Sequence, residues 1–434
     1  MRSSLDSSKK LQSFYLNNPK KLKEYYNFIQ SYLLSKKTFY KDKLVEFVCE
    51  PFFIDKTLEK RFIRIVETMD SIVKKVTLEY LKNPLFRKQF PFTEMMKEMI
   101  LVDPGYSNPA PIGRFDIFWD ENNFKFCELN GDGTSAMNEA NNIDKALLKV
   151  LAAIFPDSNF DNYELFESWL SELLSLYKEF GGKKSKPNIA IVDFDNLGTT
   201  EEFTVFKNCF EKKGFQTVIA DPRQLKYKNK KLFFNDIEID LIYRRAVNKE
   251  MEIRIDEIED FYKAYKENSV CVVGPFRSQI MHNKAFFAIL HNKNNNHIFT
   301  KKELDFIAQH IPQTFFLNNK ENLLRVTKNK DSYVVKPLDK YAGKDVRIGL
   351  DYSKTDWKKV VTSAYKTKQY IGQVFCNPPK IQLLNRNGKL DLFNTTIGLF
   401  VYNGKFKGLY HRVGRKNVIA GISEAIVRAC ITTF

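Results

Sequence analysis

Two consecutive apolar segments carry polar side chains at two-residue spacing, and they constrain the fold more than any other part of the sequence. Residues 113–120 read Gly-Arg-Phe-Asp-Ile-Phe-Trp-Asp, and residues 124–130 read Phe-Lys-Phe-Cys-Glu-Leu-Asn. Because side chains two residues apart in a strand share one face, a hairpin of these segments directs two polar groups from each strand to one place. Carboxylate and amide oxygens there suit a hard cation such as Mg²⁺, and an arginine remains for an anion. The four residues are Arg114, Asp116, Glu128 and Asn130.

Length and composition indicate a globular protein of two or three domains that needs no disulfides. The chain has 434 residues, of which 43% are hydrophobic and 28% charged. Its six cysteines are scattered without a Cys-x-x-Cys pair, which argues against a thiolate metal site and a disulfide framework. The first residues are polar, unlike a secretory signal, and no apolar run has the length of a membrane span. We therefore expect a cytoplasmic protein without a membrane partner.

The formal net charge of +17 is compatible with nucleic acid, an anionic membrane or an acidic small molecule as partner. The lysines are spread along the whole chain, so most of them are expected on the solvated surface. Basic and aromatic residues are not interleaved in a compact motif, which makes a nucleic-acid binder the least favoured hypothesis. Part of the charge would help to attract a polyanion such as a nucleotide.

The periodicity of apolar residues predicts a mixed order of helices and strands. Residues 18–100 have a helical pattern, with one continuous apolar stripe that starts at Asp55 and ends at Asn83-Pro84, and are interpreted as scaffold. Residues 102–111 are interpreted as a loop, and the region after Ser135 as helices. Residues 181–186, which are rich in glycine and lysine, indicate a domain boundary. Residues 188–220 then have the pattern of a βαβ unit with parallel strands. Further predicted elements are a hairpin at 225–234, strands at 239–245 and 270–274, and a helix at 280–290.

The C-terminal part contains a candidate phosphate-binding lid. Lys336 lies at the end of a predicted strand, and a loop with Gly343 leads to a return strand at 346–349. The lysine and the backbone N–H groups of such a loop would close over a triphosphate, although no Walker sequence is present and the pattern alone also fits a surface hairpin. A helix at 355–365, a strand at 370–375 and hairpins with Asn-Gly turns at 387–388 and 403–404 follow.

In this order, the motifs resemble those of circularly permuted ATP-grasp proteins related to glutathionylspermidine synthetase, over roughly residues 113–431. Common ATP-grasp enzymes have the Glu-x-Asn pair after the lysines, whereas here it precedes them. The resemblance implies an α+β or α/β fold of ATP-grasp type, circularly permuted, with an N-terminal helical region at 1–101. It also implies a catalytic part at 102–182, a pre-ATP-grasp αβ domain at 183–280, and a lid with a β-rich nucleotide-binding region at 281–434.

The resemblance further implies ATP and Mg²⁺ as cofactors. Asp116, Glu128 and Asn130 match the positions that hold Mg²⁺. Arg114 matches the residue that stabilises the transferred phosphoryl group. Arg412 matches an arginine near the C-terminal end of the family's sequences that faces the reacting groups. Nucleotide-binding positions are Lys284 and Lys336 for the phosphates, Tyr341, Ala342, Gly343 and Lys344 for the lid, and Gln373, Val374 and Phe375 for the adenine hinge.

The implied activity is an ATP-dependent ligation of a small-molecule or peptide carboxylate to an amine through an acyl phosphate. An ATP-binding protein that has lost this activity and acts in a complex is the alternative. The sequence shows no counterpart of the amidase domain of some relatives, and residues 131–135 differ from the usual pattern, so the family's substrates are not transferred. Arg244 and Arg245 match an arginine pair of some permuted relatives, or they pair with Asp240 or Glu250. Substrate choice is expected from residues 132–142 or 243–250, and the oligomeric state is left open.

Overall fold

The computed structural model describes residues 2–40, 43–121, 123–197, 199–340, 343–419 and 425–434. Its helices and strands alternate along the chain in an order typical of a mixed α/β protein. The helices are α1 (Arg2–Asn17), α2 (Pro19–Ser35), α3 (Lys56–Lys82), α4 (Pro84–Arg87), α5 (Glu94–Leu101), α6 (Met137–Ile154), α7 (Glu167–Glu179), α8 (Thr200–Lys212), α9 (Asn248–Ile253), α10 (Glu259–Lys266), α11 (Gln279–His282), α12 (Ala285–Leu290), α13 (Lys301–His310), α14 (Lys320–Lys328) and α15 (Lys354–Thr367). No described helix is long and apolar enough to cross a membrane.

The strands fall into several sheets. They are β1 (Phe39–Tyr40), β2 (Lys43–Leu44), β3 (Phe47–Ile54), β4 (Ile112–Asp120), β5 (Asn123–Asn130), β6 (Phe160–Asp161), β7 (Ile189–Val192), β8 (Thr217–Ala220), β9 (Leu225–Lys228), β10 (Lys231–Phe234), β11 (Ile237–Ile239), β12 (Leu241–Arg244), β13 (Cys271–Val273), β14 (Thr314–Phe316), β15 (Tyr333–Pro337), β16 (Arg347–Ile348), β17 (Tyr370–Val374), β18 (Lys380–Leu384), β19 (Leu390–Tyr402), β20 (Lys405–Gly414) and β21 (Ile426–Thr433). A short pair, β1 and β2, precedes β3.

The largest sheet contains the predicted hairpin and the C-terminal strands. Its central order is β3-β21-β20-β19-β4-β5, with β18 added on β19 and β6 on β21. The β4–β5, β18–β19 and β19–β20 pairs are antiparallel, as the predicted hairpins require. Helix α3 packs against β20. The side chain of Asp55 caps α3 by accepting a hydrogen bond from the N–H of Leu58 at 2.9 Å, and the predicted apolar stripe of this helix is buried.

The expectation of a helical pattern throughout residues 18–100 is wrong for β3. This segment reads Phe-Val-Cys-Glu-Pro-Phe-Phe-Ile and pairs in parallel with β21, near the other end of the chain. Most of its side chains are buried on both faces, so it lacks the alternation that identifies a half-exposed strand. Pairing with a distant strand decides its conformation. The large sheet consequently takes strands from three of the four predicted domains, whose boundaries remain a prediction.

A parallel sheet follows the predicted βαβ unit. Its order is β13-β12-β7-β8, and α8 connects β7 to β8. The predicted hairpin at 225–234 is confirmed as β9 and β10, which form a small antiparallel sheet with β11. The single strand expected at 239–245 is instead split between β11 and β12. The split falls at Asp240, whose backbone N–H bonds to the carbonyl of Asn188 while its neighbours on either side join different sheets.

A third sheet carries the predicted lid lysine. Its order is β14-β17-β15-β16, with antiparallel pairing throughout, and Lys336 lies opposite Ile371. Helices α14 and α15 cover it around the buried Trp357. The predicted strands near 332–337 and 370–375 and the helix at 355–365 are confirmed.

Aromatic packing joins the parallel sheet to the large one. The ring of Trp169 on α7 lies 5.2 Å from Tyr243 of β12 and 5.0 Å from Tyr402 of β19, measured between centroids. The hydroxyl of Tyr106, in the predicted loop before β4, donates to the carbonyl of Val272 in β13 at 2.6 Å. These contacts fix the C-terminal ends of the parallel strands beside the β4–β5 hairpin.

Candidate active site

The predicted hairpin brings its polar side chains together. Arg114 lies opposite Asn130 and Asp116 opposite Glu128, with a bulge directly after Asp116. Arg114 donates two hydrogen bonds to Asp116, from Nε to Oδ1 at 2.7 Å and from Nη2 to Oδ2 at 3.0 Å. Its Nη1 donates to the carbonyl of Ser135 at 3.0 Å. A bidentate, buried pair of this kind fixes both side chains.

Arg412 reaches the same carboxylate from β20. Its Nη2 lies 2.7 Å from Oδ2 of Asp116. Burial alone raises the pKa of Asp116, but Arg114 and Arg412 outweigh that effect and hold the pKa below its ordinary value. The carboxylate is therefore charged, and it acts as the common anchor of the two predicted catalytic arginines.

A glycine in the intervening strand makes room for this cluster. Gly398 of β19 lies opposite Asp116 on one side and Tyr410 on the other. A Cβ atom at Gly398 would lie 2.5 Å from Cδ of Arg114 and 2.7 Å from Oδ1 of Asp116. Such distances are far below van der Waals contact, so any larger residue would displace the arginine or the carboxylate.

Among the three predicted metal ligands, the amide of Asn130 lies within hydrogen-bonding distance of both carboxylates. Nδ2 of Asn130 is 3.3 Å from Oδ2 of Asp116 and 3.5 Å from Oε1 of Glu128. Rotating this amide by 180° would place its oxygen between the two carboxylates. Among the described residues, no group of three or more Asp, Glu, His or Cys side chains is arranged to hold a metal. Two carboxylates and an amide fit Mg²⁺, which usually takes one or two carboxylates and completes its shell with water and phosphate oxygens.

Two predicted lysines approach the hairpin from other elements. Nζ of Lys284 lies 3.8 Å from Oε2 of Glu128 and donates to the carbonyl of Lys340 at 2.7 Å. Nζ of Lys336 donates to the carbonyl of Cys127 at 3.1 Å. Both ammonium groups are thus beside the segment that carries the predicted metal ligands.

The helix predicted at 280–290 is interrupted at Asn283 and Lys284. It is divided into α11 and α12, with Asn283 in an extended conformation between them. The side chain of Asn283 accepts a hydrogen bond from the N–H of Ala285 at 3.0 Å, and the N–H of Lys284 bonds to the carbonyl of Leu338 at 2.9 Å. The side-chain cap at Asn283 and the backbone contact with Leu338, directly after β15, therefore replace the continuous helix.

The predicted adenine hinge lies within the third sheet. Gln373 is buried and donates from Nε2 to Oγ1 of Thr314 at 2.8 Å. The N–H groups of Val374 and Phe375 bond to the carbonyls of Gln313 and Ser332, both at 2.9 Å. These backbone donors are already used, so hinge contacts to a base would have to come from carbonyl oxygens or side chains.

Only part of the predicted lid can be placed. Tyr341 and Ala342 lie outside the described residues, whereas Gly343 and Lys344 belong to a turn in which Gly343 has a φ of +71°. Asp345 pairs with Lys340 and, at 2.8 Å, with Arg347. Ion pairs across the loop thus tie its two sides together.

Two residues that were not predicted from the sequence, Tyr410 and Glu139, lie next to the two arginines. The guanidinium carbons of Arg114 and Arg412 each lie 5.3 Å from the ring centroid of Tyr410. The Tyr410 hydroxyl donates to Oε2 of Glu139, in the first turn of α6, at 2.5 Å. Burial raises the pKa of Glu139 from an ordinary value of 4.5 to about 7, although the hydrogen bond from Tyr410 lowers it. No local pattern links the two residues in the sequence.

Arg244 and Arg245 form buried ion pairs, but not the expected ones. Nη1 of Arg244 lies 3.0 Å from Oδ1 of Asp132, and Nη2 of Arg245 lies 2.9 Å from Oε1 of Glu202. The other oxygen of Asp132 accepts from the N–H of Asn248 at 2.5 Å. The alternative of pairing with Asp240 or Glu250 is wrong, because those two carboxylates pair with Lys184 and Arg254, respectively. The arginines instead attach the loop after β5, and the start of α8, to the end of β12.

Sheet order and the charged cluster together define a mixed α/β protein of ATP-grasp type. The family model described as glutathionylspermidine synthase pre-ATP-grasp matches residues 38–430, and the chain belongs to this family. The match begins ahead of β3 and therefore includes the N-terminal strand that sequence periodicity missed. A sequence search of curated proteins finds no significant match.

Similarity to solved structures supports the same fold. A glutathione synthetase-like effector from Globodera pallida, solved in its apo form, is 12% identical and has a TM-score of 0.62, with 95% of this chain and 97% of that chain covered. A putative gamma-glutamylcysteine synthetase from Methylobacillus flagellatus is 10% identical, with coverages of 83% and 87% and a TM-score of 0.39. At these identities the first likeness concerns the fold alone, and the second is too distant to support an argument.

Proposed function

We propose that the protein is an ATP- and Mg²⁺-dependent ligase that joins a carboxylate to an amine through an acyl phosphate. The observation that carries this proposal is the meeting of carboxylates and cations from separate elements at one place. Asp116 and Glu128 come from the hairpin, Arg412 from β20, and Lys284 and Lys336 from the segments around the third sheet. Family membership supports ATP-grasp chemistry at this place.

ATP would bind between the third sheet and the large sheet. Lys284 and Lys336 would contact its phosphates, exchanging their present carbonyl contacts for stronger, charge-assisted ones. Asp116, Glu128 and Asn130 would hold Mg²⁺, which neutralises phosphate charge when bound. The lysines approach from the lid side and the carboxylates from the hairpin side, an arrangement that suits a triphosphate between them.

In the reaction, an oxygen of the substrate carboxylate attacks the γ-phosphorus, and the bond to the β-phosphate oxygen breaks to release ADP. The amine then attacks the acyl carbon, loses a proton, and displaces inorganic phosphate. Arg114 and Arg412 would neutralise the charge that develops on the transferred group. Positioning and electrostatic stabilisation supply most of the acceleration in phosphoryl transfer. A nucleophilic side chain is not required, and burial raises the pKa of the nearby Cys127 thiol to about 11.

The site favours acidic substrates of the small-molecule or peptide class with a free amine as second substrate. Both catalytic arginines are buried, so an incoming carboxylate would meet them in a low-dielectric setting where charge pairing is strong. The described cysteines are all free, which agrees with action in a reducing compartment such as the cytoplasm.

The test is ATP turnover by two variants of the purified full chain. Lys336→Met removes a phosphate contact and Glu128→Gln removes a metal ligand, and we expect ADP release to fall at least about 100-fold in each, as for other preorganised electrostatic contacts. Exposed residues provide matched controls: Lys358→Met on α15 and Glu259→Gln on α10 should keep full activity. Amino acids, peptides and polyamines serve as candidate substrates, with mass spectrometry of the products. Undiminished ADP release in both site variants would refute the assignment.

One observation favours a second candidate, a nucleotide-binding protein without ligase activity. Both carboxylate oxygens of Asp116 are engaged by arginines, so this residue must give up a contact before it can serve as a metal ligand. Under this alternative, calorimetry would detect Mg·ATP binding while the whole substrate panel yields no ADP. Turnover with any acid and amine pair would exclude it.

A further inference from the structure

The first turns of α6 carry several buried asparagines. Asn138 lies three and four residues before Asn141 and Asn142, and Lys145 lies four and three residues after them, so the four residues share a helix face. Asparagine is a poor helix former because its side chain competes for backbone hydrogen bonds. The three asparagines are nevertheless buried, with exposed fractions of 4%, 5% and 7%. Each buried amide therefore needs a hydrogen-bond partner.

These asparagines form the floor of a cavity of about 420 Å³ between α2, α6, α7 and α8. Tyr32 and Phe166 provide apolar walls, and Lys36, Lys145 and Lys212 stand at the rim. The cavity is large enough for a small metabolite or a dipeptide. It lies on a different face of α6 from the candidate active site, because Glu139, which bonds to Tyr410, is adjacent to Asn138 and successive helical residues are about 100° apart.

One polar atom in the floor lacks a partner. The nitrogen of Asn142 donates to Oγ1 of Thr38 at 2.9 Å and to Oδ1 of Asn138 at 2.8 Å. By contrast, Oδ1 of Asn141 is buried and accepts no hydrogen bond from any described residue. A buried acceptor without a donor is costly, and a ligand N–H group would satisfy it.

The rim has unbalanced positive charge. Glu164 is engaged by the N–H groups of Phe166 at 2.7 Å, Glu167 at 2.8 Å and Ser168 at 2.8 Å. The carboxylate of Glu167 pairs with Lys213 at 2.7 Å. Across the described part of the chain, the three rim lysines have no ion pair with a carboxylate. Glu164 and Glu167 also line the cavity, but Lys213 neutralises Glu167, so the three lysines outnumber the one remaining carboxylate and favour an anionic ligand.

We propose that this cavity is a second binding site, which takes a small molecule with an amide N–H and at least one carboxylate. The amide donates to Oδ1 of Asn141, and the carboxylate lies among Lys36, Lys145 and Lys212. The site is separate from the nucleotide site and does not depend on the proposed ligase activity. N-acetyl-L-glutamate has the required groups and is the probe.

The test is isothermal titration calorimetry with the full chain. We expect saturable binding of N-acetyl-L-glutamate and at least about fivefold weaker binding of N-acetyl-L-glutamine, in which one carboxylate is a neutral amide of the same shape. The double variant Lys145→Gln/Lys212→Gln should lose about fivefold or more in affinity. The matched control Lys178→Gln/Lys183→Gln, also at exposed lysines, should bind like the unaltered protein.

Two further variants separate the sites. Asn141→Leu removes the unpartnered acceptor and should abolish binding, and the lysine variants keep the test decisive if this protein does not fold. Lys336→Met should bind the probe normally. The proposal is overturned if the unaltered chain shows no saturable binding, if the Lys145/Lys212 variant matches its control, or if Lys336→Met abolishes probe binding.

Discussion

Replacing Glu139 by glutamine should change the pH dependence of stability in a defined window. Burial raises the pKa of Glu139 in the folded protein from an ordinary value of 4.5 to about 7. The folded protein therefore holds this proton more tightly than the unfolded chain does. The resulting stabilisation is fully present below pH 4.5 and is lost as the pH rises to about 7. A pKa difference of about 2.5, at about 1.36 kcal/mol for each pKa unit, corresponds to about 3 kcal/mol.

The glutamine variant imitates the neutral form of the side chain and keeps its shape. It cannot ionise, so its stability should fall about 3 kcal/mol less than that of the unaltered protein between pH 4.5 and 8. Other buried carboxyl groups also have raised pKa values, Asp193 and Asp144 among them, so the difference between the two proteins is the informative quantity.

The assay is urea unfolding followed by circular dichroism at half-unit pH steps. Glu211→Gln, at an exposed position of α8, is the matched control and should follow the unaltered protein. Equal pH dependence in Glu139→Gln and the unaltered protein would refute the reasoning, because the carboxyl could then not be desolvated as the structure indicates.

Three further substitutions test the surroundings of the site. Asp132→Leu leaves the buried charge of Arg244 unpaired and should cost about 3–5 kcal/mol in urea unfolding; a cost below about 1 kcal/mol would contradict a buried pair. Gly398→Ala forces a Cβ against the side chain of Arg114, so we expect a cost of about 1–3 kcal/mol and a loss of ADP release, whereas full activity would show that the cluster tolerates displacement. Tyr410→Phe removes only the hydroxyl that bonds to the carboxylate of Glu139, and it should cost about 1–3 kcal/mol while the ring stays beside both arginines; unchanged stability would argue against that hydrogen bond.

Much of the fold follows from local patterns. The β4–β5 hairpin, α3 with its cap at Asp55, the βαβ unit and the C-terminal hairpins each have signals within a few residues of one another, and each is confirmed. The failures occurred where distant contacts decide the conformation. β3 forms because β21 pairs with it, and the helix at 280–290 breaks where Lys284 bonds to Leu338. Periodicity within a short window does not contain this information.

The same division applies to the candidate site. The sequence by itself determined that Arg114, Asp116, Glu128 and Asn130 share a hairpin, because strand alternation acts over two residues and a tight turn joins the strands.

Only the tertiary structure decided which groups surround them. Arg412 and Asp116 are 296 residues apart, Tyr410 and Glu139 are 271 apart, and Lys336 and Cys127 are 209 apart. Their contacts depend on the order in which strands enter the large sheet and on how the third sheet packs beside it. That order is a property of the whole chain, because each pairing is stabilised by core packing that involves all the elements together.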